Sequence, residues 1–121
     1  MDESSITAYK DLNFSPLAEG SPVEAALLWG NPETGPAAVM VRFPQDFEEP
    51  WHSHSSNYHA VMIKGEIKIN RKGEGSSSLT YGPGTYMMQQ GGAVHAEANG
   101  GKGEMVALVY FDGPIDFQLA E

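Results

Sequence analysis

The chain has 121 residues, no cysteine, and seven Lys and Arg against sixteen Asp and Glu, for a formal net charge of −9. That length suits one domain, 1–121, built around one core. The absence of thiols excludes a disulfide frame and leaves only nitrogen and oxygen to hold any metal, while so few cations make nucleic-acid binding an unsuitable function.

Residues 1–12 read as a tail or arm, and their acidic start, Met1-Asp2-Glu3-Ser4-Ser5, has the wrong character for a signal peptide. The expected compartment is therefore the cytoplasm. Fourteen Gly and eight Pro then divide the chain into short runs with strand character. In order these are Ala25–Trp29, Ala37–Phe43, His59–Lys64, Glu66–Asn70, Leu79–Tyr81, Thr85–Met88, Val94–Ala98 and Met105–Phe111. Glu66-Ile67-Lys68-Ile69-Asn70 alternates cleanly, with isoleucines to the core. Met105–Phe111 is apolar throughout, as in a strand covered on both faces, and at seven residues is far too short to span a bilayer. Residues 73–78 read as a flexible loop. No segment carries a helical period over ten or more residues. Many short strands with frequent turns predict a sandwich or barrel.

Chemistry concentrates in two stretches. His52 and His54 are two residues apart, so their side chains share a face on a strand and oppose each other on a helix. Pro50 favours the extended case. A third imidazole, His95, lies between glycine-rich turns, and neutral imidazole is a common transition-metal ligand. A metal site inside a β-structure is the expectation. Strict alternation points Tyr58 inward with the histidines. A β-bulge at Ser55-Ser56-Asn57 would instead turn His59 inward as a fourth ligand. Both arrangements stay open. Glu97 shares the His95 face on a regular strand, as a ligand, base or supporting carboxylate, and Gln89 and Gln90 are candidates to line the pocket. Trp51, Met87 and Met88 read as pocket wall or core. Arg42 reads as an exposed arginine or a substrate anchor. Asp46, Glu48 and Glu49 read as a solvated acidic loop without chemistry.

These two stretches carry a resemblance to the cupin superfamily, small metal-binding jelly-roll β-barrels. The first cupin motif is His-x-His, Glu four residues on, and Gly seven after that; here it reads His52, His54, Tyr58 and Gly65. The second is Gly, Pro, Gly, His and Asn at fixed spacing; here it reads Gly84, Gln90, Gly92, His95 and Asn99. The resemblance implies an all-β cupin jelly roll (a double-stranded β-helix), a homodimer that exchanges an N-terminal segment or edge strand, and a small-molecule substrate. It also implies one divalent transition ion, with iron foremost and Zn, Ni or Mn as alternatives.

The missing glutamate distinguishes this chain, whose ligand set is similar to that of three-histidine cupin dioxygenases. On that likeness it is expected to be a metal-dependent dioxygenase acting on an oxygen-chelating compound such as a β-dicarbonyl. Tyr58, Gln89 and Glu97 would then serve the pocket. A redox-neutral lyase, hydrolase or isomerase, or a non-catalytic binding module, stands beside that reading.

Overall fold

A computed structural model describes residues 2–74 and 79–120. Among these, one 3-10 turn, Tyr9–Asp11, precedes ten strands. They are β1 Ser15–Pro16, β2 Glu24–Gly30, β3 Ala37–Phe43, β4 His52–Ser53, β5 Tyr58–Lys64, β6 Ile67–Arg71, β7 Tyr86–Gln89, β8 His95–Asn99, β9 Met105–Phe111 and β10 Gln118–Leu119. All pairings are antiparallel, in a six-stranded sheet ordered β1-β2-β3-β9-β5-β7 and a four-stranded sheet ordered β10-β4-β8-β6. This is the all-β cupin jelly roll that the motifs imply.

Two of the expected strands coincide with β3 and β9 to the residue, and five more differ by one residue at one or both ends. Leu79–Tyr81 differs: Tyr81 makes only an isolated bridge to Ile67. The two-residue strands β1, β4 and β10 are too short to leave a period in the sequence. Of the loop expected at 73–78, residues 75–78 lie outside the described residues. No helix among the described residues is long and apolar enough to cross a membrane.

The core lies between the sheets. Val39, Val41 and Phe43 of β3, Met62 of β5, Ile67 of β6, and Met105 and Ala107 of β9 are buried together with Val23. Each large side chain so buried contributes roughly 1.5–3 kcal/mol of transfer free energy. Val106, on the opposite face of β9, is also buried, while its face neighbours Leu108 and Tyr110 are half-buried. The N-terminal arm runs over part of this outer face. Phe14 lies 3.9 Å beneath the Arg42 guanidinium, whose Nε donates to Glu24 Oε1 at 2.9 Å.

Two motif glycines have backbone work. Gly65 turns β5 into β6 at φ +82°, and a Cβ there would stand 2.9 Å from the Glu104 carbonyl oxygen. Gly92 is also left-handed, and its N–H donates to the His54 carbonyl at 2.8 Å. That bond ties the loop before His95 to the segment that carries His54.

Candidate metal centre

His52 in β4 stands directly opposite His95 in β8, so both rings project from one face of the smaller sheet. His54, two residues beyond His52, joins them. The ring centroids are 4.3 Å apart for His52 and His95, 4.8 Å for His52 and His54, and 5.4 Å for His54 and His95. One nitrogen from each ring lies within 4.8 Å of the others. His52 and His95 are fully buried.

Each ring is held by a backbone carbonyl. Nδ1 of His52 donates to Pro50 O at 2.8 Å, that of His54 to Asp116 O at 2.5 Å, and that of His95 to Ala93 O at 3.2 Å. A carbonyl only accepts, so each Nδ1 carries the proton and each Nε2 keeps its lone pair free. This arrangement fixes ring orientation and tautomer in metal-ligating histidines. Burial opposes ring charging: it holds the His52 imidazole down at about 4 and pushes His54 and His95 below the ordinary imidazole value.

Three acidic groups meet the Nε2 side. Tyr58, buried in β5, donates to Glu97 Oε1, and its Oη is 3.4 Å from His95 Nε2. Glu97 Oε1 is 3.6 Å from the same nitrogen. Glu49 Oε2 is 3.9 Å from His52 Nε2, while Glu49 Oε1 is buried without a hydrogen-bond partner. Burial raises all three groups, lifting Glu49 to about 9 with the added repulsion of Glu97. The contact between Glu49 and His52 therefore joins two neutral groups rather than an ion pair. Two buried carboxyls, an orphaned carboxyl oxygen and three imidazole lone pairs form a donor set that fits a divalent cation.

The aromatic rings of Phe117, stacked on His52 at 4.3 Å, and of Phe111, 5.5 Å from His54 and 5.2 Å from Tyr58, flank the cluster. Below Glu97 lies an apolar cavity of about 30 Å³ bounded by Phe43, Met62, Ile67, Met87 and Val109.

The structure thus brings His52, His54, His95, Tyr58 and Glu97 together. Gln89 is buried and pairs with Tyr58 across β5 and β7. His59 is a correction to the fourth-ligand alternative. Tyr58 is the neighbour that turns inward, buried and bonded to Glu97, so His59, next along β5, faces outward. There the Tyr86 hydroxyl donates to its Nδ1 at 2.6 Å, and Asp112 lies 3.8 Å from its Nε2. Arg42 also faces away from the centre, against Phe14. Trp51 is exposed, as is Met88, whereas Met87 packs against the core. Glu49 is the second correction. It does not belong to a solvated loop, because its N–H donates to the Glu97 carbonyl at 2.9 Å and draws it against β8. Asp116 and Phe117, in the C-terminal segment, have no local signal that could have marked them.

Fold and cluster together define a three-histidine cupin. Residues 2–116 match the model of the ChrR cupin-like domain, and the chain belongs to that family. A search of curated proteins finds no match. Among solved structures, the polyketide cyclase RemF from Streptomyces resistomycificus is 15% identical with a TM-score of 0.74, covering 98% of this chain and 86% of that one. DMSP lyase DddQ from Ruegeria pomeroyi DSS-3 is 21% identical with a TM-score of 0.64, over 98% of this chain and 57% of that one. A chain from the Rhodobacter sphaeroides complex of SigE with the anti-sigma ChrR is 17% identical with a TM-score of 0.66, over 87% of this chain and 51% of that one. At these identities the likeness is one of fold, and the chain spans little more than half the length of the last two.

The carboxyls give the metal-free protein a defined pH response. Above about pH 8 the three cluster imidazoles are neutral whether folded or unfolded. Glu49 is raised from 4.5 to about 9, so its folded form keeps a proton that the unfolded chain releases. Its stabilising contribution is complete below pH 4.5 and is lost as pH rises toward 9. In chelator, unfolding free energy should fall between about pH 8 and 9, where the imidazoles no longer titrate, by up to about 1.4 kcal/mol per unit for one proton. Glu49→Gln should flatten that slope in denaturant titrations; an unchanged slope would contradict the assignment.

Proposed function

We propose that the protein is a metal-dependent enzyme of redox-neutral acid–base chemistry on a small oxygen-chelating substrate. The reading rests on one observation: a buried Tyr58–Glu97 hydrogen bond on the Nε2 side of the histidine cluster. His52, His54 and His95 would hold one divalent ion through the nitrogens left free by the backbone bonds. When bound, the ion supplies Lewis acidity toward a chelated carbonyl. Burial keeps Tyr58 protonated, and once the buried Glu97 carboxyl, itself held protonated, donates to the phenol oxygen, the Tyr58 proton is free to donate toward negative charge developing on a substrate oxygen. Glu97 orients that hydroxyl. Glu49, with one oxygen unpartnered, would be ionised by a cation bound beside it and would then accept a substrate proton. The fold likeness to a polyketide cyclase and a DMSP lyase agrees with this class of chemistry and does not identify the substrate.

Three neutral nitrogen ligands with open positions beside them also suit iron and O₂ activation, which keeps the dioxygenase as the second reading. The two separate in one experiment. Protein purified without added metal is analysed for metal, then given 1,3-dicarbonyls and 2-oxo acids in D₂O. Proton exchange at carbon is followed by NMR, with O₂ uptake in parallel. The expected result is exchange without O₂ uptake, slowed roughly 10²-fold in Tyr58→Phe at unchanged metal content. Iron with O₂ uptake would establish the dioxygenase instead, and neither activity in the metal-loaded protein would leave a binding role.

For the assembly, a homodimer through the outer face of the six-stranded sheet is the arrangement best supported. Trp29, Tyr110, His59 and Tyr86 form a row of aromatic contacts across that face, with centroid spacings of 5.6, 6.1 and 6.0 Å. Trp29, Ile63, Tyr86 and Met88 are all exposed there. A contiguous apolar face of this kind is unusual on a monomer. Sedimentation at micromolar concentration should show a dimer that Met88→Glu dissociates; a monomeric parent protein would refute the interface.

A further inference from the structure

Strand register sets four residues in one row across the smaller sheet: Leu119, His52, His95 and Arg71. Directly paired residues share a face, so Arg71, at the end of edge strand β6, stands beside His95 on the face that carries the histidines. Across the sandwich, Phe111, Tyr58 and Gln89 form the matching row, with Gln89 on edge strand β7. β6 and β7 are edge strands of different sheets and do not pair with each other. Along that open edge lies a groove of about 500 Å³, lined by Ile69, Arg71, Tyr81, Tyr86 and Met87 among others. The size suits a small molecule. Thr85 and Met87 line both this groove and the cavity below Glu97, so the groove and that cavity share a wall.

Arg71 makes no salt bridge among the described residues, although acidic groups outnumber basic ones more than twofold in the chain. Arg42 and Lys64, by contrast, are paired with Glu24 and Glu104. Glu74 also lines the groove, but it belongs to the turn after Arg71, where its N–H donates to the Arg71 carbonyl at 3.1 Å, and the two side chains form no ion pair. The Arg71 charge acts on both His95 and Tyr58. A guanidinium presents a planar fork that fits a carboxylate with two parallel hydrogen bonds.

We infer that Arg71 seats the carboxylate of a small keto acid that enters between β6 and β7 and extends its carbonyl end toward His52, His54 and His95. This deepens the proposed function and rests on it for the metal end only. The keto acid's apolar body lies against Ile69, Tyr86 and Met87. Specificity for an acid over its neutral analogue then resides in Arg71, outside the groups that hold the ion or move protons.

The test uses two ligands that differ by one group. Acetylpyruvate carries a carboxylate where acetylacetone carries a methyl, and both chelate through the same 1,3-dicarbonyl. Each is titrated into metal-loaded and metal-free protein, and binding is followed by difference absorbance and calorimetry. The parent protein should bind acetylpyruvate about tenfold or more tightly than acetylacetone. Arg71→Gln should abolish that preference while leaving metal content and acetylacetone affinity unchanged, and Arg71→Lys should restore part of it. Equal affinity for the two ligands in the parent, or a preference that survives Arg71→Gln, overturns the assignment. Failure of the parent to take up metal contradicts the metal reading alone, because the preference of the metal-free protein still decides the role of Arg71.

Discussion

Three backbone carbonyls organise the centre. Pro50, Asp116 and Ala93 each accept from the Nδ1 of one histidine, so the tautomers of His52, His54 and His95 are set by the main chain. Each carbonyl comes from a different part of the fold. Pro50 precedes β4, Ala93 precedes β8, and Asp116 lies in the C-terminal segment whose next residue, Phe117, stacks on His52. The segment is secured in turn by the Asp116 carboxylate, which accepts from the Ser55 N–H at 2.8 Å and from the Ser55 hydroxyl. Jelly-roll pairing delivers the rings to one place, and these bonds aim their lone pairs at one another.

Aiming three lone pairs and two carboxyls into a buried volume is costly without a cation. Burial holds the imidazoles neutral and the carboxyls protonated, and Glu49 Oε1 is left without a partner. A divalent charge would reverse each of these penalties, favouring ionised carboxylates and giving the lone pairs an acceptor. The same buried groups therefore suit the centre to acid–base work beside an electrophile. Tyr58 cannot readily ionise there, and its bond to Glu97 holds the hydroxyl beside His95.

Much of this was legible in the sequence, and the remainder failed for identifiable reasons. β3 and β9 were readable because they are long, apolar and bounded by turn residues. The shared face of His52 and His54 follows from the two-residue period of a strand. The choice between Tyr58 and His59 did not, because it depends on the register of β5 against β7 and β9, which only long-range pairing sets. Glu49 looked like surface charge since its neighbours Asp46, Glu48 and Pro50 are exposed. What buries it is a main-chain bond to Glu97, nearly fifty residues away. The position of Arg71 beside His95 is equally non-local. Local patterns gave the strands and the first ligands, while the acidic groups that shape the chemistry arise from cross-sheet geometry.

X-ray absorption at the metal edge of protein loaded with one equivalent of Zn or Fe(II) tests the central claim most directly. The account predicts three imidazole nitrogens at roughly 2.0–2.2 Å, with oxygen ligands completing the shell, and loss of one imidazole contribution in His95→Ala. A shell of oxygen alone, or one unchanged when His95 is removed, would contradict it.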